Sequence, residues 1–113
     1  MITIEDFQKL EIKIGRVLSA ERIEGSDKLL KLMFDIGTEE PRQILAGIAE
    51  HTPDPESLVG KELPIILNLE PRKMRGEMSY GMMLAASPST SLGTSTAVLL
   101  HPAEEVPPGT IVR

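Results

Sequence analysis

The chain has 113 residues, 41% of them hydrophobic and 26% charged, and carries a formal net charge of −5. That length makes one domain with room for a core, and the composition is ordinary for a soluble globular protein. Without cysteine there is no disulfide framework, thiolate chemistry or zinc knuckle, and no apolar run reaches the ~20 residues of a membrane span. The N-terminus shows no secretory pattern, so a cytoplasmic location is expected.

At the start, Thr3 is placed to cap a helix, with Asp6 completing a short capping box and Ile2 and Phe7 as a hydrophobic staple. The helix covers roughly residues 4–9, and Ile4, Phe7 and Leu10 form an apolar stripe on it. So short a helix must pack on something. From Ile12 the period changes to two. Gly15 and Arg16 break the phase of a long first strand, suggesting a bulge or bend there. "EGSD" (24–27) is a turn, and Leu30, Leu32, Phe34 and Ile36 alternate as a second strand. "GTEEP" turns the chain, and Ile44, Ala46 and Ile48 mark a third.

"DPESLVGK" (54–61) is punctuated as a short helix, with Asp54 at the N-cap, Pro55 at N1 and Gly60 at C′. Leu63, Ile65, Leu67 and Leu69 give a fourth strand, Pro64 pointing to its beginning or an edge. Residues 70–79 read as a loop and Tyr80–Ala86 as a fifth strand. "SPSTSLGTST" is a loop, "AVLLH" a sixth short strand, and "EEVPPGTIV" a turn into a terminal extended piece. Five main strands with a short helix between the third and fourth predict an all-β OB-fold. This is a five-stranded Greek-key barrel with short helices and a C-terminal extension. A single domain over 1–113 is expected, and Met1 followed at once by a capped helix suggests a free-standing protein.

The acidic total hides an uneven distribution. Residues 1–56 carry 7 Lys/Arg against 12 Asp/Glu, whereas 57–113 carry 5 of each. Within the second half, Arg72, Lys73 and Arg75 stand together with no anion among them. Screening confines charge effects to about 8–10 Å, so such a patch survives a negative total. On an OB-fold the loop between strands four and five flanks the ligand face, as does the one between strands one and two. The latter brings Lys28, with Lys31 just after it. Gly76 permits a tight turn. A solvated basic turn is the plain alternative to an anion site. Only Phe7, Phe34 and Tyr80 are aromatic, and the two phenylalanines read as core. Stacking of single strands is thus disfavoured, and a folded RNA read by shape and phosphate position fits better.

"NLEPRKMRGEMSYGMML" (68–84) is very similar to the tRNA-binding domain. That domain forms the C-terminus of many methionyl-tRNA synthetases, stand-alone structure-specific tRNA-binding proteins and the endothelial monocyte-activating cytokine family. The resemblance extends in order through "DFQKLEIKIGRVLSAERIEGSDKLLKL", "FDIGTEEPRQILAGIAE", "LVGKELPIILNLEPRKMRG" and "EVPPG". It implies an OB-fold and largely sequence-independent recognition of folded tRNA. It also implies homodimerisation in stand-alone members and possible service to a synthetase. By position it implies RNA contacts for Arg72, Lys73, Arg75, Ser79 and Met82, and shape-setting roles for Asn68, Pro71, Gly76 and Gly81. Met82 has a competing reading as core. The N-terminal helix (1–10) and the extension (88–113) are the expected dimer surfaces.

A dimeric secretion chaperone of the CsaA type, binding unfolded polypeptides, is the alternative; the intact "KMRGEMSYGM" favours tRNA. An enzyme is disfavoured. "KMRGEMS" is superficially similar to a class I synthetase loop, but the nucleotide-binding domain that such a loop serves is missing. His51 and His101 read as surface residues. Ser79, His51 and Asp54 lack the surroundings of a nucleophile elbow. No metal-ligand spacing is present, so no metal or cofactor is expected.

Overall fold

The computed structural model describes residues 1–88 and 97–113. A five-stranded antiparallel sheet forms a nearly closed barrel from β1 (Ile12–Arg22), β2 (Leu30–Asp35), β3 (Arg42–Ala46), β4 (Glu62–Ile66) and β7 (Met82–Met83). The order is β3-β2-β1-β4-β7. Between β4 and β7 lies a two-stranded hairpin, β5 (Arg72–Met74) and β6 (Glu77–Ser79). A second pair, β8 (Ala85–Ala86) and β9 (Val98–Leu99), follows. The architecture is the OB-type barrel expected. Two of its pieces differ: residues 72–79 are a hairpin rather than a loop, and the strand over 80–86 is split into two short ones. Most of the serine-rich segment, residues 89–96, lies outside the described residues.

Alternation in β2 turns Leu30, Leu32 and Phe34 inward, where they meet Ile44, Leu63 and Ile65 in one core. β1 serves two partners, pairing β4 over Ile12–Arg16 and β2 over Arg16–Arg22. The bulge falls at Leu18, between Val17 and Ser19, not at Gly15. Gly15 answers a different need, because a Cβ there would run into the side chains of Ile65 and Phe34. Pro64 is inside β4. Ile14, its neighbour on β1, directs its N–H and C=O to Thr110 and Gly109, so this pair exchanges no bonds. The nitrogen of Pro64 therefore faces β7, where it has no donor to give, while its carbonyl accepts from the Leu84 N–H at 3.0 Å just beyond the Ile65 and Ile66 pairs.

Thr3 and Asp6 do form a reciprocal capping box around α1 (Ile4–Gln8). Bonds from the Thr3 backbone N–H and then Lys9 hold the Asp6 carboxyl below its usual range. No residue of α1 is buried, so Phe7 is half-buried outside the core rather than part of it. "PESL" forms a 3-10 turn, Pro55–Leu58, with Asp54 accepting from the Glu56 N–H and Leu58 buried beneath β1. The terminal segment runs antiparallel alongside β1 as a strap, bridging Lys13 and Ile111, with the Val112 N–H donating to the Ile12 carbonyl at 2.9 Å. Among the described residues no helix is long and apolar enough to cross a membrane.

Candidate nucleic-acid interface

The hairpin β5–β6 is built around a two-residue turn. Arg75 and Gly76 both have positive φ, 52° and 81°, the condition for a type I′ connection matched to strand twist. Arg75 bears this conformation at the tip although it has a side chain. Arg72, Lys73 and Arg75 are all exposed, and among the described residues none is ion-paired.

Pleating separates the cations. Arg72 and Met74 share one face and line a cleft with Leu45, Leu69, Pro71 and Met82. Lys73 is one residue out of phase and points to the other face. Met74 and Arg75 also border a second groove, whose far side is the β1–β2 loop with Gly25 and Lys28. The structure thus brings Arg72, Lys28 and Arg75 to two grooves that meet at Met74, while Lys73 stands on the opposite face of the hairpin. Tyr80 is exposed beside the hairpin.

Lys31 does not join them as a free charge. Its ammonium lies 3.0 Å from Glu21 and 3.5 Å from Glu77. The hydrogen bond to Glu21, then the charges of Glu21 and Glu77, raise its pKa above the usual lysine value. Glu77 also accepts from the Gln43 side chain at 3.2 Å, and the same amide donates to the Met78 carbonyl at 2.9 Å. Lys31 and Gln43 therefore moor the hairpin to β2 and β3.

Ser79 is turned inward and only 4% exposed. Its hydroxyl accepts from the Leu45 N–H and donates to the Gly81 carbonyl, both at 3.0 Å. The Tyr80 N–H donates to the Gln43 carbonyl at 3.0 Å, and Arg42 reaches the Tyr80 carbonyl at 2.8 Å. These bonds close the barrel between β3 and the segment leading into β7. In this conformation Ser79 is a closure residue: its O–H and one acceptor site are engaged within the protein, although it also stands in the lining of the cleft. Ser79→Ala leaves the buried Leu45 N–H without its acceptor, an expected loss of about 1–3 kcal/mol in urea unfolding; an unchanged unfolding midpoint would refute the closure role.

The two readings of Met82 are separated by its neighbour. Met83 is buried at 9%, whereas Met82 is 45% exposed in the cleft wall. Pro71 enters β5 in the same wall. Gly81 passes close to β4, where a Cβ would lie 2.7 Å from the Ile66 carbonyl oxygen. Asn68 shapes a different junction: its amide accepts from the Glu11 N–H and donates to the Lys9 carbonyl, both at 2.7 Å. It fixes the passage from α1 to β1, not the hairpin. His51 and His101 are exposed, and the His101 Nδ1 is occupied by the Glu62 carbonyl at 2.8 Å.

Arg42, Gln43 and Glu77 were not singled out from the sequence. One signal was available. Ile44, Leu45 and Ala46 form an unbroken buried run, whereas a strand with one wet face alternates. The run announces that β3 is covered on its second face, and the hairpin is the cover.

Residues 12–111 match the family described as "Putative tRNA binding domain". The methionine–tRNA ligase of Archaeoglobus fulgidus is 53% identical over 111 residues, 98% of this chain and 16% of that protein. The chain spans only 12–16% of the length of such ligases. Among solved structures, a MetRS-related protein from Pyrococcus horikoshii superposes with a TM-score of 0.86 at 38% identity, covering 100% of this chain and 98% of that one. The chaperone CsaA from Bacillus anthracis gives 0.85 at 30% identity, covering 100% and 99%. With its barrel, its moored basic hairpin and a match over nearly its whole length, the chain belongs to the tRNA-binding domain family.

Proposed function

We propose that this chain binds folded tRNA largely independently of sequence, through phosphate contacts from Arg72, Lys73, Arg75 and Lys28. The observation that carries this reading is the group of three exposed hairpin cations, unpaired among the described residues. In a chain of net charge −5, such a group forgoes the internal ion pairs that abundant carboxylates make available. Arginine grips phosphate bidentately and lysine acts as a point charge, so the set suits a backbone rather than one base sequence. Met82 belongs to the contact surface. Ser79, Gly81 and Pro71 shape it, and Lys31 acts through Glu77.

The role is binding rather than catalysis, in the cytoplasm, as a homodimer serving an aminoacyl-tRNA synthetase. Ile4 and Leu10 stand exposed on or beside an α1 that buries none of its residues, and Val98, Leu100 and Ile111 are exposed in the C-terminal part. These apolar side chains support a dimer surface built from both ends of a single domain. Size-exclusion chromatography with light scattering, with and without bulk tRNA at two salt concentrations, tests the assembly. A dimer that takes up tRNA at low salt is expected; a monomer at every concentration overturns the dimer.

The CsaA-type chaperone reading is kept by one observation, the apolar cleft beside the hairpin. Tight binding of an unfolded apolar peptide with no uptake of tRNA would put it first.

A further inference from the structure

The cleft beside the hairpin has a chemistry that phosphate contacts leave unexplained. It measures about 350 Å3 and is walled mainly by Leu45, Leu69, Pro71, Met74 and Met82, with Ser79 and Gly81 at its inner side. That is the lower end of the ~300–1,000 Å3 typical of small-ligand sites, room for one flat group rather than a long chain. Arg72 and Glu70 stand in the same lining. Glu70 is exposed, and among the described residues it has no ion-pair partner.

Each candidate occupant meets these groups differently. A phosphate would lose its hydration against apolar walls and face the Glu70 carboxylate, so it is disfavoured. A nucleobase is flat, apolar on its faces and rich in N–H donors at its edge. Methionine sulfur packs favourably on such π-faces, and a carboxylate accepts from exocyclic amino groups. An apolar peptide side chain would fit the walls but leave Glu70 and the cations without a role. Arg72 in the lining and Arg75 at the hairpin tip beside Met74 complement a polyanion that carries flat rings.

We infer that this cleft receives one unstacked nucleobase of the bound RNA, its face against Met74 and Met82 and an amino-bearing edge toward Glu70, with Arg72 on the adjoining phosphate. The inference rests on the tRNA-binding reading and deepens it. The methionines supply the stacking surface in a cleft whose lining, among the described residues, includes no aromatic, Tyr80 standing exposed outside it. Folded RNAs present such bases in loops and at ends.

The test uses the full chain labelled with [methyl-13C]methionine and titrated with unfractionated tRNA. Ring currents of a captured base move the Met74 and Met82 methyl signals upfield, while Met1 stays in place. Because the protein is unaltered, folding is not in question. Binding assays supply the second arm. Met82→Ala weakens tRNA affinity by roughly 2- to 10-fold, the range of a thioether–π contact, with no change in salt dependence. Glu70→Ala weakens it by a similar factor through the lost acceptor. Electrostatics alone predicts the opposite sign for Glu70→Ala, because an anion is removed from a polyanion site.

Salt-dependent tRNA binding with still methyl signals and tighter binding by Glu70→Ala would overturn the base pocket while leaving the tRNA reading intact. Absence of tRNA binding by the unaltered chain would remove both. Movement of the two methyls by an apolar peptide but not by tRNA would give the cleft to polypeptide and reject the inference.

Discussion

Replacing Arg72, Lys73 and Arg75 together with alanine is expected to remove most tRNA binding and to flatten its salt dependence, leaving the barrel folded. Each phosphate neutralised contributes about −0.7 to −0.9 to the slope of log K against log salt. The three hairpin contacts account for about −2 to −3 of the slope per chain and about −4 to −5 in a dimer, with Lys28 adding one further contact per chain. For one chain that corresponds to roughly a 20- to 40-fold fall in affinity between 50 and 200 mM salt. The triple variant should bind at least about 100-fold more weakly at the lower salt, since charge-assisted contacts contribute about 1.5–3 kcal/mol each. It should fold, because all three side chains are exposed. At position 75 alanine has the same Cβ as arginine, so the positive φ of 52° costs it no more. Gel shifts at four salt concentrations, with a thermal melt of the variant, measure this. Undiminished binding by the folded variant, or a flat salt response in the parent chain, would sink the assignment.

The hairpin that carries these cations was legible as a basic connection but not as strands. Its strands have three residues each, too short for a period to show. Its turn also places a non-glycine residue at positive φ, where Asn-Gly or Asp-Gly is the readable signal. The barrel strands were legible because β2 alternates strictly and its inward residues are fully buried. The bulge was misplaced to Gly15 because glycine marks both bulges and close packing, and only the packed Phe34 and Ile65 tell them apart. Lys31 looked free for the same kind of reason. Its partner Glu21 lies ten residues back in the chain and is directly opposite only once the β1–β2 register is fixed. Ser79 was a motif position whose inward direction depends on barrel closure, which no local pattern encodes. Met82 and Met83 formed an ambiguous pair that strand pleating resolves.

Among the polar side chains, Glu62→Ala is expected to cost the most stability, about 2–4 kcal/mol, although Glu62 lies outside the proposed RNA surface. Its carboxylate is 7% exposed and has two partners: Arg16 at 3.3 Å and the Val106 N–H at 2.9 Å. Arg16 in turn reaches Glu105 at 2.8 Å. One carboxylate thus ties β1, β4 and the terminal strap together. Removing one member of a buried pair costs about 3–5 kcal/mol when the surviving charge is left uncompensated. Here Arg16 is 31% exposed and keeps Glu105, which lowers that figure. The Val106 N–H still loses its acceptor, which adds to the penalty. For a domain of this size the loss corresponds to a fall of about 10–20 °C in Tm. Glu105→Ala supplies the control. Glu105 is 78% exposed, and an exposed pair contributes at most about 1 kcal/mol. Hydrogen exchange localises the effect. In Glu62→Ala the strap bonds of Ile14, Gly109 and Val112 should exchange faster, while the core amides of β2 change only as global stability falls. Equal Tm values for the two variants would show that the buried carboxylate is not what fastens the strap.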